Sequence, residues 1–112
     1  MRRLALIALF PLALGLAGCS SGESGERQAD VRVAGFRYSP VAVEIEPGGR
    51  VTFENLDKAP HTASSDEGSP WEFDTKRLET SEDGTIEFDE PGSYPYFCRF
   101  HPFMTGTVEV VE

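Results

Sequence analysis

Pro91-Gly92-Ser93-Tyr94-Pro95-Tyr96-Phe97-Cys98-Arg99-Phe100-His101-Pro102-Phe103-Met104 is the stretch on which the reading of this sequence turns. Pro91-Gly92 is a turn signal. Tyr94, Tyr96 and Cys98 then alternate, the period of a strand with one face turned to a core. From Cys98 to Met104 a thiol, an imidazole and a thioether fall within one heptapeptide. Cys98 ends the strand on the face of the two tyrosines, so its sulfur points into the end of the domain. His101 and Met104 follow at steps of three, where a tight turn returns each side chain to one point. Pro102 helps by fixing φ within that turn.

The same alternation recurs on either side of this stretch. Val31 and Val33 show it, then Val41, Val43 and Ile45, Val51 and Phe53, Ile86 and Phe88, and Val108 and Val110. Ser39-Pro40, Pro47-Gly48-Gly49 and Asp83-Gly84 break the runs with turn chemistry. No window supports a long amphipathic helix. Six or seven short strands in roughly eighty residues predict an all-β domain, an antiparallel β-sandwich with Greek-key links. Residues 62–80 alternate poorly and read as a long connection with at most one ragged strand.

The chain begins differently. Arg2 and Arg3 precede the apolar run Leu4 to Ala17, too short to span a bilayer but suited to a secretory signal. It ends in Leu16-Ala17-Gly18-Cys19, which resembles the lipobox of bacterial lipoproteins. That resemblance implies cleavage before Cys19 and lipid on its sulfur. Residues 1–18 are therefore read as signal, 19–29 as a flexible Ser/Gly/Glu/Gln tether, and 30–112 as the folded domain. After cleavage 94 residues remain, with eight basic and nineteen acidic side chains, a net charge of −11. Such a chain is repelled by nucleic acid and by anionic lipid, so membrane contact falls to the anchor. Cys98 is left as the one thiol without a partner, a liability outside the cytoplasm unless something occupies it.

Past residue 19 there are two histidines, one further cysteine and one methionine. Three of the four share the heptapeptide, and the fourth, His61, follows a strand in Ala59-Pro60-His61-Thr62. Singly, each has a duller reading: a loop histidine, a packed methionine, a small buried hydrophobe. Together they are every soft ligand of the mature chain. Two imidazoles, a thiolate and a weak axial thioether are the donor set of copper electron-transfer sites.

The chain from about Val31 onward resembles a cupredoxin of the plastocyanin and amicyanin group. Pro47-Gly48, Val51-Thr52-Phe53-Glu54-Asn55, Pro60-His61 and Pro91 to Cys98 carry the likeness, with the short Cys98-to-Met104 loop on the amicyanin side of the group. The resemblance implies one copper ion, with His61, Cys98 and His101 as strong ligands and Met104 as the distant axial one. It implies that the edge of His101 lies near the surface as the electron's exit, ringed by Pro60, Pro102 and Phe103. Core packing is the other reading of Phe103. Phe97 is either a second electron route or edge packing.

Asn55, Thr62 and Phe100 are read as residues around the ligands. Thr62 stands where many relatives have asparagine tying the two ligand loops together, and its hydroxyl can do part of that work. Phe100 stands where many have proline, so its backbone N–H is free to approach the sulfur and raise the reduction potential. The function expected is a one-electron shuttle between extracytoplasmic redox proteins, monomeric and not an enzyme. A copper carrier or store is the alternative, opposed by the scarcity of methionine. An enzyme would need an open coordination position or a further metal site, and a metal-free adhesive sandwich leaves the ligand cluster unexplained.

Overall fold

A computed structural model describes residues 26–112 of the chain. Cys19, the signal and the first residues of the tether lie outside them. Seven strands follow in order: β1 Glu26–Ala34, β2 Arg37–Ser39, β3 Ala42–Asn55, β4 Ser64–Ser65, β5 Asp83–Phe88, β6 Gly92–Phe97 and β7 Thr105–Val110. The ladder runs β2-β1-β3-β7-β6-β4, with β5 on a further edge of β3.

β3 carries the architecture. Its first half, Ala42 to Ile45, pairs with β7, whereas residues from Gly49 onward pair with β5; β1 pairs from Arg50 onward and, across a register shift, through Glu26 with Ile45. The change of partner falls at Pro47-Gly48-Gly49, where Gly48 takes φ +85°, so the ladder folds over itself into two layers. The turn signal there predicts a break between strands, but the strand is continuous. The alternation resumes in phase, with Val43, Ile45, Val51, Phe53 and Asn55 all buried. Two pairings, β1 with β3 and β3 with β7, are parallel and the other four are antiparallel. Chain segments that cross between layers can arrive in either direction, which local alternation does not encode.

Inward positions from both layers form one core around Val31, Phe53, Phe88, Tyr94, Tyr96 and Val108. Full burial of such side chains contributes about 1.5–3 kcal/mol each. Two expectations move. The first strand begins at Glu26, so residues 26–29, read as tether, lie in the sheet; Gln28 and Ala29 pair with Arg50 and Val51 although the segment shows no apolar period. Val41 precedes its strand and is 61% exposed, outside the alternation assigned to it. The 62–80 connection contains only the two-residue β4 and isolated bridges His61–Leu78 and Ser64–Asp74. Those bridges hold His61 beside the end of β6.

Candidate metal centre

The Cys98-to-Met104 loop is two successive turns. His101 N–H donates to the Cys98 carbonyl at 3.2 Å and Met104 N–H to the His101 carbonyl at 2.9 Å. Cys98 N–H donates to the Met104 carbonyl at 3.1 Å and closes the loop at its base. The three-residue steps read from sequence are thus the periods of two stacked turns. Cys98 is fully buried, Met104 nearly so, and His101 half-buried.

His61 arrives from the other side, after a loop organised by Asn55. The buried Asn55 amide donates to the carbonyls of Ala59 and Leu78, both at 2.9 Å, and its Oδ1 accepts Asp57 N–H at 2.9 Å. Cys98 Sγ then lies 3.6 Å from His61 Nδ1 and 3.7 Å from His101 Nδ1. All three donor atoms fall within 4.8 Å of one another. Metal–nitrogen bonds of about 2.0–2.1 Å and a metal–sulfur bond of about 2.3 Å put nitrogen and sulfur about 3.8 Å apart in a trigonal plane. The donor set and its spacing therefore fit one borderline-soft ion.

Thr62 joins the two ligand segments. Its N–H donates to Cys98 Sγ at 3.4 Å, and its hydroxyl oxygen accepts Arg99 N–H at 3.0 Å and the Ser64 hydroxyl at 2.8 Å. The Tyr38 hydroxyl donates to the Thr62 carbonyl. Burial, with the Cys98 sulfur next, pushes the Tyr38 phenol far above its ordinary value. Among the described residues the backbone N–H that reaches the sulfur is that of Thr62. Phe100, expected in that role, is not among the sulfur's hydrogen-bond partners.

Asp57, unremarked in the sequence, completes the shell. Its Oδ2 lies 2.8 Å from His61 Nε2 and accepts Phe36 N–H at 2.9 Å, while Oδ1 accepts Gly35 N–H at 2.8 Å. Burial works to raise its pKa, but these two N–H groups and His61 outweigh it and hold the carboxyl below the usual range. Asp74 behaves alike: burial opposes, yet Lys76 N–H, Arg99 and Ser64 keep it low. At the surface the rings of Phe36 and Phe103 meet His101 edge-on at 5.0 and 6.1 Å. Phe103 is 72% exposed, which removes its core reading; Pro102 is exposed and Pro60 half-buried. Phe36, also exposed, enlarges the apolar surface at His101 beyond the three residues expected, and Phe100, exposed as well, lies under the Arg77 guanidinium. Phe97 is half-buried, with the Arg99 guanidinium over its ring, 5.9 Å from the ring centre.

A sequence profile of the cupredoxin-like domain family matches residues 4–110. The chain belongs to that family. This cupredoxin is 30% identical to amicyanin-alpha of Methylorubrum extorquens over 98% of its own length and 99% of that protein's. It is 36% identical to the amicyanin of Paracoccus versutus over 73% of this chain and 66% of that one. The crystal structure of the Paracoccus versutus protein superposes with a TM-score of 0.69 at 31% identity, covering 75% of this chain and 81% of that one. The copper-containing nitrite reductase of Thermus scotoductus gives a TM-score of 0.71 at 28% identity. That match takes in 95% of this chain but 27% of the reductase, so the cupredoxin corresponds to one module of a larger enzyme. With its His-Cys-His site, this cupredoxin is a blue-copper electron-transfer protein.

Proposed function

We propose that the protein shuttles single electrons between redox proteins outside the cytoplasm, on one copper held by His61, Cys98 and His101 with Met104 as weak axial ligand. The observation that carries this is the convergence of two imidazole nitrogens and a buried thiol within 4.8 Å. Copper in such a set supplies a one-electron couple whose oxidised form is intensely coloured through its thiolate bond. The chain's own residues do the remainder. The stacked turns and the Thr62 bonds fix the donors, so their geometry has little freedom to change with oxidation state. Burial of His61 and Cys98 excludes water. The half-buried His101, among Pro60, Pro102, Phe36, Phe100 and Phe103, offers an edge where a partner can approach without polar groups to desolvate.

The amicyanin relatives support a carrier rather than an enzyme and an extracytoplasmic place for it. Lipid on Cys19 would hold this carrier at a bacterial membrane, with a soluble redox donor and acceptor docking transiently on the His101 edge. Two experiments test the reading. The copper-loaded protein is expected to be blue and the Cys98→Ser variant colourless, because a hydroxyl is a harder, less covalent ligand; a blue serine variant sinks the assignment. A copper carrier or store would bind the ion without that colour. Full-length protein expressed in bacteria should partition with membranes, and Cys19→Ala should remove the lipid and release the protein or trap it in another form. Wild-type protein found wholly in the soluble fraction overturns the anchor.

A further inference from the structure

The metal-facing nitrogen of His61 is Nδ1, which leaves Nε2 as an N–H inside a fully buried ring. Such a donor needs an acceptor, and the partner is the Asp57 carboxylate at 2.8 Å. The same carboxylate accepts the successive N–H groups of Gly35 and Phe36 at 2.8 and 2.9 Å. These two residues take φ of 60° and 57°, the left-handed region that disfavours a residue with a side chain such as Phe36. The turn therefore depends on an outside anchor, and Asp57 supplies it from more than twenty residues away in sequence. Held so, the Phe36 ring stands edge-on to His61 at 5.3 Å and to His101 at 5.0 Å, with interplanar angles of 88° and 87°.

We propose that Asp57 is a positioning residue of the metal site: one carboxylate fixes the His61 ring and clamps the Gly35–Phe36 turn so that Phe36 covers both ligand histidines. It rests on the copper reading and adds a consequence to it. An anionic acceptor behind His61 makes the imidazole a stronger donor and favours the more positive, oxidised state. Asp57 then holds the reduction potential down.

The test uses the full mature chain in copper-loaded and metal-free forms. Asp57→Asn should keep the blue colour and shift the couple toward the reduced state by roughly tenfold, about 59 mV for one electron. Asp57→Glu, which keeps the charge, should fall between that value and wild type. An Asn variant whose potential is unchanged or lower overturns the proposal. Should Asp57→Asn fail to fold or to take up copper, the metal-free wild-type protein decides the clamp by NMR. The His61 Nε2 proton should be visible and slow to exchange, and the Phe36 ring protons should show contacts to both histidines. A proton exchanging as fast as that of a free imidazole overturns the clamp. Absence of blue colour in copper-loaded wild type would instead sink the copper reading, and leaves this NMR measurement as the judge of the clamp.

Discussion

Thr62 satisfies four partners with one backbone unit and one hydroxyl: the Cys98 sulfur, Arg99 N–H, the Ser64 hydroxyl and the Tyr38 hydroxyl. Several of these groups are buried, where an unpaired donor or acceptor costs roughly 1–3 kcal/mol. A residue in this position stiffens the site because moving it would break several bonds at once. The network continues outward, since Asp74 accepts both Ser64 and the Arg99 guanidinium, at 3.0 and 2.9 Å. At this scale the three residues whose donor atoms converge, His61, Cys98 and His101, were legible in the sequence. Cysteine, histidine and methionine are rare here, and their spacing is that of two turns. Asp57 was not legible, being one of nineteen acidic residues and marked by nothing but its place four residues before His61. Its role depends on where a turn twenty-one residues away brings two N–H groups. Phe100 shows the converse. The lack of proline frees an N–H, but the turn's backbone geometry decides where that N–H points.

Between elements, the closest approach to a glycine among the described residues lies where β6 meets β7. Tyr96 pairs with Gly106, and a Cβ built on Gly106 would collide with the Tyr96 hydroxyl. That hydroxyl is buried and has no hydrogen-bond partner among the described residues, and burial drives its pKa well above the ordinary phenol value. The ring is fixed by edge-on contacts with Tyr38 at 4.7 Å and Phe53 at 5.1 Å, so it cannot swing aside. Removing a hydroxyl that makes no bond should cost little, and Tyr96→Phe is expected to be neutral or stabilising. Gly106→Ala should destabilise by about 1–3 kcal/mol through overpacking, and the double variant should recover little of that loss, because the ring carbons Cζ and Cε2, which phenylalanine keeps, would also collide with the added Cβ, Cε2 at 2.9 Å. Urea unfolding of the metal-free proteins measures all three. A Tyr96→Phe loss above ~1.5 kcal/mol would show that the hydroxyl is bonded after all. The strands were largely readable because each buries one face, and Val31, Val33, Tyr94 and Tyr96 fall where alternation places them. Direction of pairing was not. β1 lies parallel to β3, and β3 to β7, through contacts far apart in sequence.

On the scale of the whole molecule, charge and the apolar exit make opposite demands on encounter. The chain carries a net charge of −9 at pH 7, so two copies repel at long range, yet each presents Phe36 and Phe103 against His101, with Phe100 its neighbour in the chain, 43%, 72% and 45% exposed. Electron exchange between a reduced and an oxidised copy requires these surfaces to meet. Repulsion acts over the Debye length, about 30 Å at 0.01 M salt and 10 Å at 0.1 M, whereas the apolar contact is insensitive to salt. The self-exchange rate constant should therefore rise with ionic strength, by about tenfold or more between those concentrations, since fields of this kind alter encounter rates by ten to a thousandfold. NMR line broadening in mixtures of the two oxidation states measures it directly. The opposing possibility lies in the Arg77 guanidinium, 5.5 Å from the Phe100 ring centre. Its charge is offset by the adjoining Glu79 carboxylate, with which it pairs, so it should not reverse the sign. A rate constant that stays flat or falls as salt is added would mean that charges at the exit, and not the net charge, govern how two copies meet.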